Sequence, residues 1–426
     1  MTVSNVDTPR SDLDALVSVL PKITADHVKE LWKKGQEDLK PELTHMEVNT
    51  SFISGDQWVV FNEATARAES LSPDVDTGDP LLLPVNRMRP ALRRQVAKLT
   101  ATPLRMVVKP RGPASTDIDG ARIATTVVNS TARAHDWDKL KTQVAWSAPK
   151  SGTMVLSTEW DDSLGKQAVD EFGQPVTLGD TVESALTLAE VAFEPGTRDA
   201  SRSWWWVKGS AMPALEVQRR YNLPSAPKGS VVAEASPMRR AMKSAGHGRA
   251  EPNLVLVLTY YERPSQLRPE GAMCVVIDNQ IISQGAWPFP FTDRLNVAVV
   301  RHMPSDGRWT GETAFSDAVP LQRALNMSMS SAVELARKLG TAKVMVSDPT
   351  IADDWDDDPG RPLVVQGMSN DNKPQYLEPP QVPAWLSAIR DEIRAEIDDE
   401  LGDFDVARGK SSGSVTSGSG LALLAE

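Results

Sequence analysis

Helical and strand-like patterns do not alternate regularly along this chain, and their order decides its fold class. An amphipathic helical pattern covers 25–38 and a basic one covers 86–100. Two more helices begin near Asp117 and Trp137, and the second leads into a strand at 153–160. A doubly wound parallel sheet needs strands and helices in strict alternation. The order seen here therefore predicts an α+β fold.

A second group of patterns is dominated by strands. Short apolar runs bounded by turn residues predict strands at 104–109, 185–193, 204–207, 253–262, 272–278, 280–284 and 295–300. The last four follow one another closely, which indicates a small β-rich module inserted between helical parts. Helical patterns resume at 317–339 and, after Pro383, in an amphipathic helix with an acidic outer surface that ends at Gly402.

Length and charge restrict the classes of protein that fit. The 426 residues allow two or three domains with buried cores. The net charge of −11 argues against wrapping nucleic acid over the whole surface. No apolar run reaches the roughly 18 residues of a membrane helix, and the first residues do not resemble a signal peptide. With Cys274 as its single cysteine, the chain forms no intrachain disulfide, so we expect synthesis in a reducing cytoplasm.

Catalytic patterns are weak. Gly409-Lys-Ser411 has Phe404 where a phosphate-binding loop needs its first glycine, and the histidines show no His-Glu-x-x-His pattern. We expect no catalytic residue, no cofactor and no metal site. One enzymatic alternative is a metal-dependent enzyme that uses neighbouring carboxylates at a strand end. Its candidate ligands are Glu159, Asp161 and Asp162.

Several short motifs, taken in order, resemble the portal proteins of tailed bacteriophages, the head-to-tail connectors. They are Ser54-Gly-Asp-Gln-Trp58, the helix from Asn86 to Pro103, the helix–Gly152–strand segment, Pro320-Leu-Gln-Arg-Ala-Leu-Asn326 with Ser330, and Ser417-Gly-Ser-Gly-Leu-Ala-Leu-Leu424. The resemblance implies an α+β portal fold with wing, stem and clip regions, in which long helices line a ring channel.

The resemblance also implies a division of the chain. The expected regions are an N-terminal wing at 1–212, a stem-entry helix and loop at 213–252, a β-rich clip at 253–302, a stem helix at 303–340, a connecting segment of the wing at 341–381, a channel-side acidic helix at 382–403 and the start of a C-terminal wing element at 404–426.

A portal-like chain is expected to act without catalysis. Its copies, about twelve, close head to tail into a ring at one capsid vertex. Double-stranded DNA passes non-specifically through this ring during packaging and ejection. The implied partners are the large terminase and a head-completion or adaptor protein at the clip, and the scaffold and major capsid proteins at the wing. The implied location is the portal vertex of the virion, after synthesis in the host cytoplasm, with no membrane partner. A different structural head or tail adaptor is the alternative.

Two sets of residues are candidates for these roles. A channel that lets DNA move gains from repelling phosphates, so acidic side chains are expected along it. The channel candidates are Glu392, Glu396, Asp399, Asp353 and Asp354. Small and polar positions on a long helix suit packing against copies of itself. The stem candidates are Gln322, Asn326 and Ser330.

Overall fold

The helices and strands are taken from a computed structural model. It describes residues 22–62, 67–70, 81–162, 164–169, 173–227, 254–289, 292, 294–340, 343–345, 375–377 and 384–402. The described helices are α1 (Ala25–Asp38), α2 (Lys40–Ser54), α3 (Met88–Thr100), α4 (Ser115–Ala134), α5 (Trp137–Ser151), α6 (Ala214–Arg220), α7 (Ala314–Gly340) and α8 (Ala384–Glu400). Short 3₁₀ turns cover Leu188–Glu190 and Ala200–Arg202.

Most of the described strands lie between α5 and α7. They are β1 (Val59–Asn62), β2 (Arg67–Ser70), β3 (Thr153–Asp161), β4 (Gln167–Val169), β5 (Pro175–Thr177), β6 (Asp180–Leu186), β7 (Val191–Phe193), β8 (Trp205–Pro213), β9 (Leu254–Glu262), β10 (Ala272–Ile277), β11 (Gln280–Gly285), β12 (Val297–Arg301), β13 (Met303–Pro304), β14 (Gly311–Glu312), β15 (Lys343–Met345) and β16 (Gln375–Leu377). This mixture of helices and sheets confirms the α+β prediction.

Two antiparallel sheets form the centre of the fold. The larger has the strand order β11-β10-β9-β8-β7, and the smaller has the order β12-β3-β6. In the larger sheet β8 pairs with β9 along its whole length, from Trp205 opposite Glu262 to Pro213 opposite Leu254. In the smaller sheet Val297 of β12 lies opposite Ser157 of β3.

These pairings differ from the predicted β-rich module. The strands of 253–302 do not form a sheet of their own, because β9 pairs with β8 and β12 pairs with β3, both of which lie in the segment expected to be the wing. A boundary at residue 253 therefore cuts through both sheets. Strand partners far apart in sequence cannot be read from local patterns, which is why the module looked separate. The assignment of this segment to a clip stays a prediction.

Aromatic side chains fill the space between the two sheets. Trp206 is fully buried there, with ring centroids 5.9 Å from Phe193 and 5.3 Å from Tyr261, both in a stacked arrangement. Val155 and Val297 of the smaller sheet belong to the same core cluster. Offset aromatic stacks of this kind add to the free energy of burial. The tryptophan run at 204–206 thus contributes to a structural core.

The opposite face of the larger sheet is covered by α1. Gly35 of α1 lies so close to β7 that a Cβ atom built on it would be 2.6 Å from the Cβ of Ala192. Glycine in a helix interior costs about 1 kcal/mol relative to alanine. The sequence keeps a glycine here because the helix could not otherwise approach the strand.

A second core is built from helices. It joins α2, α3, α7 and α8 through buried side chains that include Phe52, Leu92, Phe315, Leu325 and Ile397. The helix α8 has the bounds that the sequence predicted, whereas α7 is longer at both ends. The strand predicted at 185–193 is instead the end of β6, a 3₁₀ turn and β7. The sequence motif at 417–424 lies outside the described residues.

Candidate functional site

The three polar residues predicted to face a second copy are buried within one chain. Gln322, Asn326 and Ser330 are spaced four residues apart on α7 and have exposed fractions of 0, 1 and 7%. They face the extended segment 81–87, which runs into α3. The four-residue spacing places all three on one side of the helix.

Hydrogen bonds join these side chains to the backbone of the extended segment. The Oδ1 of Asn326 accepts a hydrogen bond from the backbone N of Val85 at 2.9 Å. The Nε2 of Gln322 donates to the carbonyl oxygen of Val85 at 2.7 Å, and its Oε1 accepts from the N of Arg87 at 3.1 Å. The Oγ of Ser330 accepts from the N of Leu83 at 2.9 Å. The helix thus supplies the partners that a neighbouring strand would otherwise provide.

The same network extends to the end of α2. The Nδ2 of Asn326 donates to the Oε1 of Gln57 at 2.9 Å, and the Nε2 of Gln57 donates to the carbonyl oxygen of Phe52 at 3.0 Å. The Nδ2 of Asn86 donates to the carbonyl oxygens of Phe52 and Ile53, each at 3.1 Å. These bonds satisfy carbonyl groups that a helix end leaves unpaired.

We call the set of Gln57, Asn86, Gln322, Asn326 and Ser330 the polar clamp. Three of the motifs that resemble portal proteins supply its members, although they lie far apart in the sequence. The polar side chains on α7 are used inside the chain, which leaves them no surface for a second copy. The structure therefore gives them a role in holding the fold together, which differs from the predicted stem contact.

The predicted channel residues on α8 lie on an exposed strip. Trp385, Ile389, Glu392, Glu396 and Asp399 follow one another at intervals of four and three residues, and all five are exposed. We call this set the acidic strip. The opposite side of α8 packs on α7 through Ile397 and Leu401. The other two channel candidates, Asp353 and Asp354, lie outside the described residues.

The carboxylates of the enzymatic alternative are each bound to a different partner. Both oxygens of Glu159 accept from the Nζ of Lys208 at 2.9 Å. The Oδ2 of Asp161 accepts from the Nη2 of Arg220 at 2.9 Å, and the Oδ1 of Asp162 accepts from the Nε1 of Trp160 at 2.6 Å. In the part of the chain that the structure describes, no three His, Cys, Asp or Glu side chains come together as a metal site. These contacts give the alternative no support.

Residues 103–134 form an arm, which consists of an extended segment and α4. The segment predicted as a strand at 104–109 pairs with no strand. Instead, the N of Met106 donates to Asn129 Oδ1 at 3.2 Å, and the N of Val108 donates to Thr125 Oγ1 at 2.9 Å. Along its length α4 buries only Ala121. The arm therefore presents most of its surface outward.

The base of the arm is fixed by a histidine. The Nδ1 of His135 lies 2.8 Å from Glu183 Oε2, and its Nε2 lies 3.4 Å from Asp180 Oδ1. The hydrogen bond to Glu183 is the main cause that raises the pKa of His135 above its usual value. Asp136 then turns the chain between α4 and α5 with a φ of 52°.

Two further features surround the helical core. An open groove of about 910 Å³ lies beside α5 and the smaller sheet, and its lining is mainly apolar, with Leu99, Leu140, Val144 and Leu156 among the residues. Burial, with a smaller effect of Arg89, lowers the pKa of Lys150 to about 8. None of the helices in the described part of the chain is long and apolar enough to cross a membrane.

Comparison with known proteins agrees with the sequence motifs. The model of the family described as "Phage P22-like portal protein" matches residues 265–425, less than half of the chain. The matched segment contains β10 to β12, α7 and α8. No curated protein matches the chain. The family match confirms the resemblance to portal proteins that the sequence indicated.

Proposed function

We propose, from the premise that residues 265–425 belong to the phage P22-like portal protein family, that this chain is the portal subunit of a tailed bacteriophage. Copies of the chain form a ring of about twelve at one vertex of the capsid. Double-stranded DNA enters the head through the ring during packaging and leaves through it at infection. The family match is the single observation that carries this proposal.

The ring acts as a passive conduit, and its energy comes from another protein. The large terminase supplies the motor and docks on the ring, as a head-completion or adaptor protein does later. The scaffold and major capsid proteins contact the wing. A net charge of −11 supports such a conduit, because an acidic surface does not hold a DNA duplex in place.

The first test is the state of assembly. Native mass spectrometry of the purified chain and negative-stain images should show a ring whose central hole is roughly 30 Å wide, since a B-form duplex with its hydration must pass. A hexamer without such a hole would favour a different head or tail adaptor. A chain that stays at 46.4 kDa in solution and within assembled particles would refute the proposal.

A second test concerns the channel wall. If the acidic strip faces DNA, the triple variant Glu392→Lys, Glu396→Lys, Asp399→Lys should still form rings, and these rings should retain DNA at low salt. Each new cation can pair with a phosphate, so retention should fall steeply as salt is raised. A wild-type ring run through the same column serves as the control. Rings of the variant that retain no DNA would remove the strip from the wall.

A further inference from the structure

We propose that the arm of one copy packs on the acidic strip of the next copy, and that this contact joins the subunits of the ring. The inference rests on the proposed function, because it assigns the contact by which the proposed ring is made. It gives the acidic strip a use other than facing DNA. The argument depends on two helix faces that are both exposed in the single chain and that complement each other in shape and charge.

The first face is the side of α4 that points away from the extended segment. Thr125 and Asn129 hold that segment on one side of the helix. The other side carries uncharged residues at intervals of four and three, all exposed. They are Thr116, Gly120, Ile123, Val127, Ser130 and Ala134.

This spacing is the one by which helices pair with other helices. Ile123 and Val127, at its centre, are 66% and 56% exposed. A helix of 20 residues, about 30 Å long, gains most of its stability from packing an apolar face. The exposed face of α4 therefore fits a second helix.

The second face is the acidic strip. Its five residues have the same alternating spacing, and its first two members are large and apolar, with Trp385 60% and Ile389 42% exposed. A wall that repels DNA needs charge and gains nothing from an exposed tryptophan. Exposed apolar side chains beside polar ones are typical of contacts between proteins.

Charge favours pairing of these two faces. In the arm the cations are Arg105, Lys109, Arg111, Arg122 and Arg133, against Asp117 and Asp119. In α8 the acids are Asp391, Glu392, Glu396, Asp398, Asp399 and Glu400, against Arg390 and Arg394. The arm is thus positive and α8 is negative. Opposite charges around an apolar contact orient the partners and speed their association.

The occupant of each face is a second copy of this chain. Both faces are exposed in the described structure, so they do not cover each other within one subunit. Two different patches on one chain that fit each other make a head-to-tail contact, and such contacts close into a ring when the rotation between copies allows it.

The test uses two variants of the full chain that each lose one face. The arm variant is Ile123→Ser with Val127→Ser, and the strip variant is Trp385→Ser with Ile389→Ser. Because these side chains are exposed, each variant should keep the wild-type circular dichroism spectrum and melting midpoint. Each alone should remain at 46.4 kDa where the wild type is fully assembled.

A mixture of the two variants distinguishes a broken contact from a damaged fold. The arm variant keeps an intact strip and the strip variant keeps an intact arm, so one contact can form between them. Native mass spectrometry of an equimolar mixture should show a dimer that grows no further. A control with Val169→Ser and Leu178→Ser, which removes exposed apolar side chains elsewhere, should assemble like the wild type.

Several results would overturn the inference. Rings formed by either variant alone would show that the faces are not needed, and the conduit itself would stand. A mixture that gives no dimer would do the same. Rings of the triple lysine variant that retain DNA would place the strip in the channel, whereas the inference expects that variant to lose assembly. If the wild type forms no ring at all, the proposed function fails together with the inference.

Discussion

Replacing Asn326 by alanine should remove the centre of the polar clamp. Its Oδ1 accepts hydrogen bonds from the N of Val85 at 2.9 Å and from Nε2 of Gln322 at 3.0 Å, and its Nδ2 donates to Gln57 at 2.9 Å. Gln322 keeps its other acceptor, the carbonyl oxygen of Val85. Two buried groups therefore lose their partners, the N–H of Val85 and the Oε1 of Gln57.

The expected loss follows from those two groups. Each buried polar group left without a partner costs about 1–3 kcal/mol, so Asn326→Ala should lower the free energy of unfolding by roughly 3–4 kcal/mol. Ser330→Ala removes one bond to the N of Leu83 and should cost about 1 kcal/mol. Ser328→Ala is the matched control in the same helix. Its buried Oγ has no hydrogen-bond partner in the described chain, so its loss should cost about 0 kcal/mol.

Urea unfolding measures the global change, and hydrogen–deuterium exchange measures the local one. In Asn326→Ala the peptide that covers 81–87 should exchange faster than in the wild type, because the segment loses a bond that anchors it to α7. In Ser328→Ala the exchange of that peptide should not change. The reasoning would be wrong if Asn326→Ala cost less than about 1 kcal/mol, or if both variants behaved alike.

Three further substitutions test other contacts. Gly35→Ala should destabilise the fold by about 1–3 kcal/mol in urea unfolding, in spite of the better helix propensity of alanine, because the new methyl group meets Ala192; a gain in stability would refute this. Lys150→Met should raise stability at pH 7. It should also abolish a rise in wild-type stability as pH increases from about 8, where the folded chain loses the Lys150 proton that the unfolded chain still holds; an unchanged pH profile would contradict this. The raised pKa of His135 means that its bond to Glu183 adds stability fully below the unfolded pKa, which is lost as pH rises through the folded pKa; His135→Gln should flatten that part of the profile, and an unaltered slope would count against it.

Local patterns predicted the helices well, because each helix has its own periodicity. The bounds of α1 and α8 follow from apolar residues at helical spacing, from Pro383 at the start of α8 and from Gly402 with its φ of 62° after the end. The strands β3 and β9 were also predicted. Their partners were not, since antiparallel pairing between distant segments leaves no mark in either segment alone.

The candidate residues show the same division. The exposure of the acidic strip follows from the amphipathic pattern of α8, and the structure places its three acids as expected. The burial of Gln322 and Asn326 did not follow, because polar residues on a helix ordinarily suggest solvent or another subunit. One signal was present: both share a face with the buried Leu325 and so point toward the core. The segment that covers them, 81–87, has no pattern of its own.

The polar clamp also sets the order of events during synthesis. The backbone groups of 83–87 are separated by 235–247 positions from the side chains on α7 that bind them. A ribosome that adds roughly 5–20 residues per second needs on the order of 10–50 s to cover that distance. The N-terminal half of a nascent chain therefore waits for α7 before the helical core can close. An unfinished polypeptide lacks both this core and the acidic strip, so only full-length chains are competent to join a growing ring.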